Sequence, residues 1–142
     1  METTTRKEPR GIRNNNPLNI RKGNNWKGER KNQTDPAFEE FESMEYGIRA
    51  AIKLIRNKIQ GKGANRKPLC TIRLLVSSWA PPTENKTEAY IRFVSSQTGI
   101  LPAEIIHHDD RRKIIAITRA MAFYECGQWI DEKIFESAYD LL

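Results

Sequence analysis

The chain has 142 residues and a formal net charge of +6, with 38% hydrophobic and 30% charged residues, the composition of one globular domain with a polar surface. It has no apolar run of about 18 residues, so no membrane span is expected. Nor is a secretory signal expected, because residues 1–10 lack an apolar stretch.

The excess positive charge favours acidic partners, nucleic acid or an anionic bacterial envelope, without choosing between them. Residues 1–10 are polar and read as a flexible N-terminal arm, with a single domain over residues 11–142. The domain opens on GIRNNNPLNIR, in which Asn14, Asn15, Asn16 and Asn19 surround Pro17. Proline fixes its own φ and pushes Asn16 towards extended backbone. Asn side chains bond backbone groups or a ligand and tolerate unusual dihedrals. If residues 17–21 are extended, Leu18 and Ile20 anchor on one face and Asn19 is offered on the other. Residues 22–35 form a polar loop containing Trp26, either a lid over a small satellite core or a stacking surface. Residues 36–41, PAFEEF, read as a return strand that makes a small β-hairpin with 17–21.

The remainder is helical. Ser43 caps a helix whose apolar face is Ile48, Ala51, Ile52, Ile55 and Ile59, ending before Gly61. A basic loop over residues 61–68 leads to a second helix over 71–79, stopped by Pro81 and Pro82. A third helical pattern covers residues 83–99, where Asn85 and Glu88 have capping-box spacing and Gly99 suits the C-terminal cap. Residues 101–106 read as a short helical turn. Asp109 or Asp110 caps a fourth helix carrying Ile114, Ile117, Met121 and Tyr124, which Gly127 ends. Residues 131–142 form a last, shorter helix. The fold class is therefore mainly α with a small β-hairpin.

Few residue groups point to chemistry. His107, His108, Asp109 and Asp110 have metal-binding side chains. Adjacent residues rarely converge on one ion, and Asp before a helix is an ordinary cap, so no metal is expected. Cys70 and Cys126 lack metal-ligand spacing; two buried thiols are the default reading, and a disulfide between them is an unsupported alternative. No cofactor is implied. The basic residues are scattered rather than striped, which disfavours nucleic acid. Glu125 stands at the end of an apolar helix, where the helix dipole disfavours an anion, close in sequence to Phe123, Tyr124 and Trp129. Such surroundings raise a carboxyl pKa, as a general acid at neutral pH requires.

The segments RGIRNNNPLNIR and WAPPTENKTEAYI together resemble phage- and prophage-encoded proteins of the lysozyme-like superfamily, some of them virion structural proteins and others peptidoglycan-lytic enzymes. The resemblance runs over residues 10–127. WAPPTENKTEAYIRFV is similar to the part of soluble lytic transglycosylases in which a Glu-Thr pair precedes a Tyr-containing helix. The run NNNPLNIR…WKG…FEEFES…GIRAAIKLI resembles the part of flagellar and autolysin-type glucosaminidases that follows their catalytic helix. In those enzymes the catalytic Glu precedes the hairpin, where this chain has only its arm. AMAFYECG resembles the missing helix, with Glu125 in the Glu position. The resemblance thus implies a circularly permuted lysozyme-like fold.

It further implies cleavage of the β-1,4 glycan strand of peptidoglycan with Glu125 as the single general acid, by a lytic transglycosylase or a muramidase or glucosaminidase route. Substrate contacts would come from Asn16, Asn19, Trp26, Asn85, Thr87 and Tyr90; Asn85 also suits a helix cap and Tyr90 a core position. Asp35 and Glu40 are the candidates if a second carboxylate takes part. The implied partners are peptidoglycan strands and other virion proteins, and the implied location is the virion, or the bacterial cytoplasm before assembly, with action at the cell wall. The competing class is a non-catalytic virion structural protein of the same fold that binds the wall or other particle components.

Overall fold

A computed structural model of the protein describes residues 8–62, 67–80 and 86–142. The described residues form six helices in order: α1 (Arg10–Arg13), α2 (Met44–Gln60), α3 (Ile72–Trp79), α4 (Thr87–Thr98), α5 (Arg111–Cys126) and α6 (Glu132–Asp140). The architecture is mainly α, and no helix among the described residues is long and apolar enough to cross a membrane.

Local chemistry explains most helix ends. The Ser43 hydroxyl accepts from the Tyr46 amide, Thr71 caps α3 through the Leu74 amide, and Asp110 caps α5 through the Lys113 amide. Gly61, Gly99 and Gly127 close α2, α4 and α5 in the left-handed conformation. Two expectations are corrected. The N-cap of α4 is Lys86, without a side-chain cap bond, and Glu88 pairs with Arg73 at 2.6 Å instead of closing a capping box. Residues 101–106 hold only a turn, in which the Glu104 amide donates to the Leu101 carbonyl.

α5 is the central element, packing against α1, α2, α4 and α6. Its Ile114, Ile117 and Met121 meet Ile48, Ile52 and Ile55 of α2, Tyr90, Ile91 and Val94 of α4, and Phe135 of α6 in one buried core. Burying these side chains at roughly 1.5–3 kcal/mol each supplies the driving force for association of the helices.

The amide segment departs most from expectation. Residues 10–13 are helical, with Gly11 packed near Cys126 of α5. The two arms of the expected hairpin meet through isolated antiparallel bridges, Arg21 with Phe38 and Glu29 with Phe41, and no strand is formed among the described residues. Asn19 is the reason the ladder does not propagate: its φ of +55° turns the chain out of extended geometry. Side chains take over the missing bonds. Asn16 is fully buried; its amide donates to the Ile20 and Glu39 carbonyls at 2.9 and 3.0 Å and accepts from the Ile20 amide at 3.0 Å. Asn15, at φ +52°, donates to the Phe41 carbonyl at 3.0 Å. Leu18 and Ile20 still reach the core.

The segment is seated on α2 by close backbone approach. A Cβ at Gly47 would lie 1.7 Å from the Asn15 carbonyl oxygen. Gly47→Ala is therefore expected to cost about 3 kcal/mol or more. Gly99→Ala, whose Cβ meets nothing within 4 Å but whose φ is +74°, is expected to cost about 1 kcal/mol. Chemical denaturation of the two variants checks the difference.

Candidate functional site

An open cleft of about 760 Å³ lies between the amide segment, the second halves of α2 and α3, the start of α4 and the end of α5. Leu18, Asn19, Ile20, Tyr90, Tyr124 and Glu125 line it, together with Lys58, Ser78, Trp79 and Thr87. Glu125 is half-buried. The Asn19 amide donates to Glu125 Oε1 at 3.4 Å across 106 residues of chain. Asn19 Oδ1 is buried and has no partner among the described residues. A buried acceptor left open beside a carboxylate is a place for a ligand donor.

Tyr90 is the most deeply buried aromatic residue of the cleft lining. It is 2% exposed and stacks on Tyr124 with ring centroids 4.0 Å apart. Its hydroxyl is held well above the ordinary tyrosine pKa, first by burial and then by the charge and hydrogen bond of Glu125. The hydroxyl, which stays protonated, lies 3.5 Å from the Met121 carbonyl and is also within reach to donate to the Glu125 carboxylate. The indole of Trp79 donates to the Leu18 carbonyl at 3.1 Å, so α3 also fixes the amide segment. Thr87 lines the cleft with its hydroxyl donating to the Ala80 carbonyl at 3.0 Å.

Four of the residues singled out in the sequence thus meet here: Asn19, Thr87, Tyr90 and Glu125. Asn85 lies outside the described residues. Asn16 is spent on backbone bonds and does not line the cleft. Trp26 is half-buried against the core, its indole N–H without a partner among the described residues, and is likewise absent from the cleft.

The two candidate second carboxylates are held elsewhere. Asp35 takes both Arg10 nitrogens at 2.6 Å, and the Asn14 side chain and the Ala37 and Phe38 amides donate to it at 3.0, 2.9 and 2.9 Å. Arg10 first, and then these backbone donors, hold the Asp35 carboxyl far below its ordinary range despite its burial. For Glu40, burial pushes the pKa up, but the amides of Asp35 and Thr34, the Thr34 hydroxyl and Arg30 outweigh it and the net shift is downward. Both carboxylates close the turn around residues 34–38, a structural task, and neither lines the cleft. Glu39, another of the carboxylates grouped around the expected hairpin, does not line the cleft either. It is 3% exposed. Burial, then the neighbouring Glu29 carboxylate, raises its pKa. Sequence alone does not separate it from Glu40 and Glu42 beside it.

The histidine cluster also corrects an expectation about geometry. Donor atoms of His107, His108 and Asp109 all lie within 4.8 Å of one another, although the residues are adjacent. The His107 ring nitrogen bonds directly to the Asp109 carboxylate, and both side chains are exposed. The two cysteines are free thiols.

No family model matches the chain. The chain is similar to a phage protein, "Protein P5" of Pseudoalteromonas phage PM2, with 44% identity over 95 residues. The match covers 64% of this chain and 56% of that protein, so the chain spans little more than half of the relative's length.

The carboxylate network predicts opposite pH behaviour at two positions. The folded state holds Asp35 in its charged form, so its stabilisation is full above the ordinary value of 3.8 and lost as pH falls below it. Asp35→Asn should lower Tm at neutral pH by roughly 5 °C, with the gap to wild type closing in acid. The raised Glu39 works the other way: its stabilisation is full below the ordinary 4.5 and lost as pH rises through the folded value. Glu39→Gln should therefore melt above wild type at about pH 8 and together with it at about pH 4. Thermal melts across that range check both.

Proposed function

We propose that this is a phage-derived protein that cleaves the β-1,4 glycan strand of peptidoglycan, with a circularly permuted lysozyme-like fold and Glu125 as its single general acid. The observation that carries the reading is the contact between Asn19 and Glu125, two residues far apart in the chain that the resemblance assigned to one groove. The cleft, its unpartnered Asn19 acceptor and the protonated Tyr90 hydroxyl beside Glu125 support it further. The phage relative supports the phage origin, and with it assembly alongside other virion proteins.

The chemistry follows from the side chains at the cleft. Glu125 gives its proton to the bridging oxygen as the bond from that oxygen to the sugar C1 breaks. Hydrolysis with a second carboxylate needs that group about 5–9 Å away. Among the described residues, Glu125 is the one carboxylate that lines the cleft, which favours a route in which the substrate supplies the nucleophile. The carbonyl oxygen of the neighbouring N-acetyl group attacks C1. The C6 hydroxyl then replaces it at C1 and returns its proton to Glu125, leaving a 1,6-anhydro end. In this reading Tyr90 donates to the Glu125 carboxylate formed midway, Asn19 Oδ1 accepts the acetamido N–H, and Thr87 borders the bound strand. Asn16, Trp26, Asp35 and Glu40 act in holding the fold rather than on substrate.

Digestion of purified peptidoglycan, followed by mass spectrometry of the released sugars, tests this. Wild-type protein should release anhydro-ended fragments, and Glu125→Gln should reduce the rate by about 10²–10⁴-fold while melting normally. Reducing ends would replace the anhydro route by hydrolysis. No release by folded wild-type protein would overturn the enzymatic reading in favour of a non-catalytic, wall-binding virion component.

A further inference from the structure

The segment that leads into α5 holds the chain's two histidines side by side. Their rings stack with centroids 4.7 Å apart. Donor atoms of His107, His108 and Asp109 lie within 4.8 Å of one another. His107 Nδ1 bonds to the Asp109 carboxylate. The two side chains of that pair are 68% and 65% exposed, so the cluster is open to solutes.

The backbone beneath is fixed by bonds that use none of the three side chains. The Ile106 amide donates to the Cys70 carbonyl at 2.7 Å and the Asp110 amide to the His107 carbonyl at 3.1 Å. Arg56 of α2 donates through Nε to the His108 carbonyl at 3.1 Å. The donors are thus gathered on a held piece of chain and are not consumed in holding it.

Two observations separate this cluster from an ordinary surface ion pair. His108 Nδ1 is buried and has no partner among the described residues. A buried polar atom left open asks for a water or an ion. The neighbouring charges are also occupied: Asp110 caps α5 through the Lys113 amide, Arg111 pairs with Glu136 and Asp140, and Lys113 pairs with Glu104. Asp109 is therefore left to the imidazoles.

Two imidazoles and one carboxylate suit zinc and its transition-metal neighbours, whereas calcium and magnesium prefer oxygen alone. Ligands about 2.1 Å from a tetrahedral ion lie about 3.4 Å from one another. Side-chain rotation closes the 4.8 Å spread to that value.

We propose that His107, His108 and Asp109 bind one divalent ion of the zinc class, with water completing its coordination. None of the three lines the cleft, so the site is separate from the glycan reading and does not rest on it. The ion ties together the segment entering α5, the helix on which Glu125 stands, and stabilises the folded chain.

The test uses the full chain without a histidine tag, stripped by a chelator, and Zn²⁺ alone as the probe. Calorimetry should show one Zn²⁺ per chain with micromolar affinity, and Zn²⁺ should raise Tm. The ring-nitrogen NMR signals of both histidines should shift; the chain has no other histidine to confuse them. His107→Ala, at an exposed position, and His108→Ala should each weaken binding at least about tenfold. A folded Cys70→Ala/Cys126→Ala variant should bind as wild type does. No saturable binding by folded wild-type protein, unchanged binding in His107→Ala, or loss of binding in the folded cysteine variant would each overturn the site.

Discussion

The buried amide of Asn16 is the interaction on which the rest of the site depends. It has no solvent exposure, and it bonds both the N–H and the carbonyl of Ile20 and the carbonyl of Glu39. In a regular hairpin those backbone groups would find each other. Here the Ile20 carbonyl still accepts from the Glu39 amide at 2.9 Å, and the Asn16 side chain supplies the remaining bonds, at about 1–3 kcal/mol for each buried group that it keeps from being left open. Because the amide joins the two arms, the chain between residues 16 and 20 is free to leave extended geometry. Asn19 does so and turns to Glu125, while Leu18 offers its carbonyl to Trp79.

The distribution of carboxylates follows from the same economy of space. The loop around residues 34–38 exposes several amides that a ladder would have used, and Asp35 and Glu40 accept them. Glu39, on the other side of the chain, is pressed against Glu29. Three carboxylates close to one another in sequence therefore have three different environments, and none enters the cleft. Glu125 is left beside Asn19 and Tyr90, with cations rather than other acids lining the cleft among the described residues. In the proposed reading this is why one acid and the substrate's own N-acetyl group suffice.

Much of the helical architecture was legible because its signals are local. Ser43, Thr71 and Asp110 accept from amides three residues on, and Gly61, Gly99 and Gly127 take the left-handed cap that other residues resist. The stripe on α2 works the same way, since every side chain at helical spacing finds the same core. The failures have an equally definite origin. Residues 10–13 carry no helix pattern, yet they form a helical turn that packs with Gly11 close to Asn16, Pro17 and Cys126. The hairpin is reduced to isolated bridges because an amide replaces the ladder, which strand propensity does not register. Asn16 and Asn19 are the same residue type in one short segment, and only the fold makes one a fastener and the other part of a cleft wall.

Sequence alone determined the helical class, several helix ends such as Ser43 and the closing glycines, the clustering of amides around Pro17 and the suspicion attached to Glu125, because each depends on spacing within a few residues. Tertiary structure decided which carboxylates were used up and that Asn19 rather than Asn16 meets Glu125. Those outcomes depend on contacts between residues tens to a hundred positions apart. A side chain's charge, hydrogen bonding and access to solvent are set by those contacts, and its identity in the sequence does not specify them.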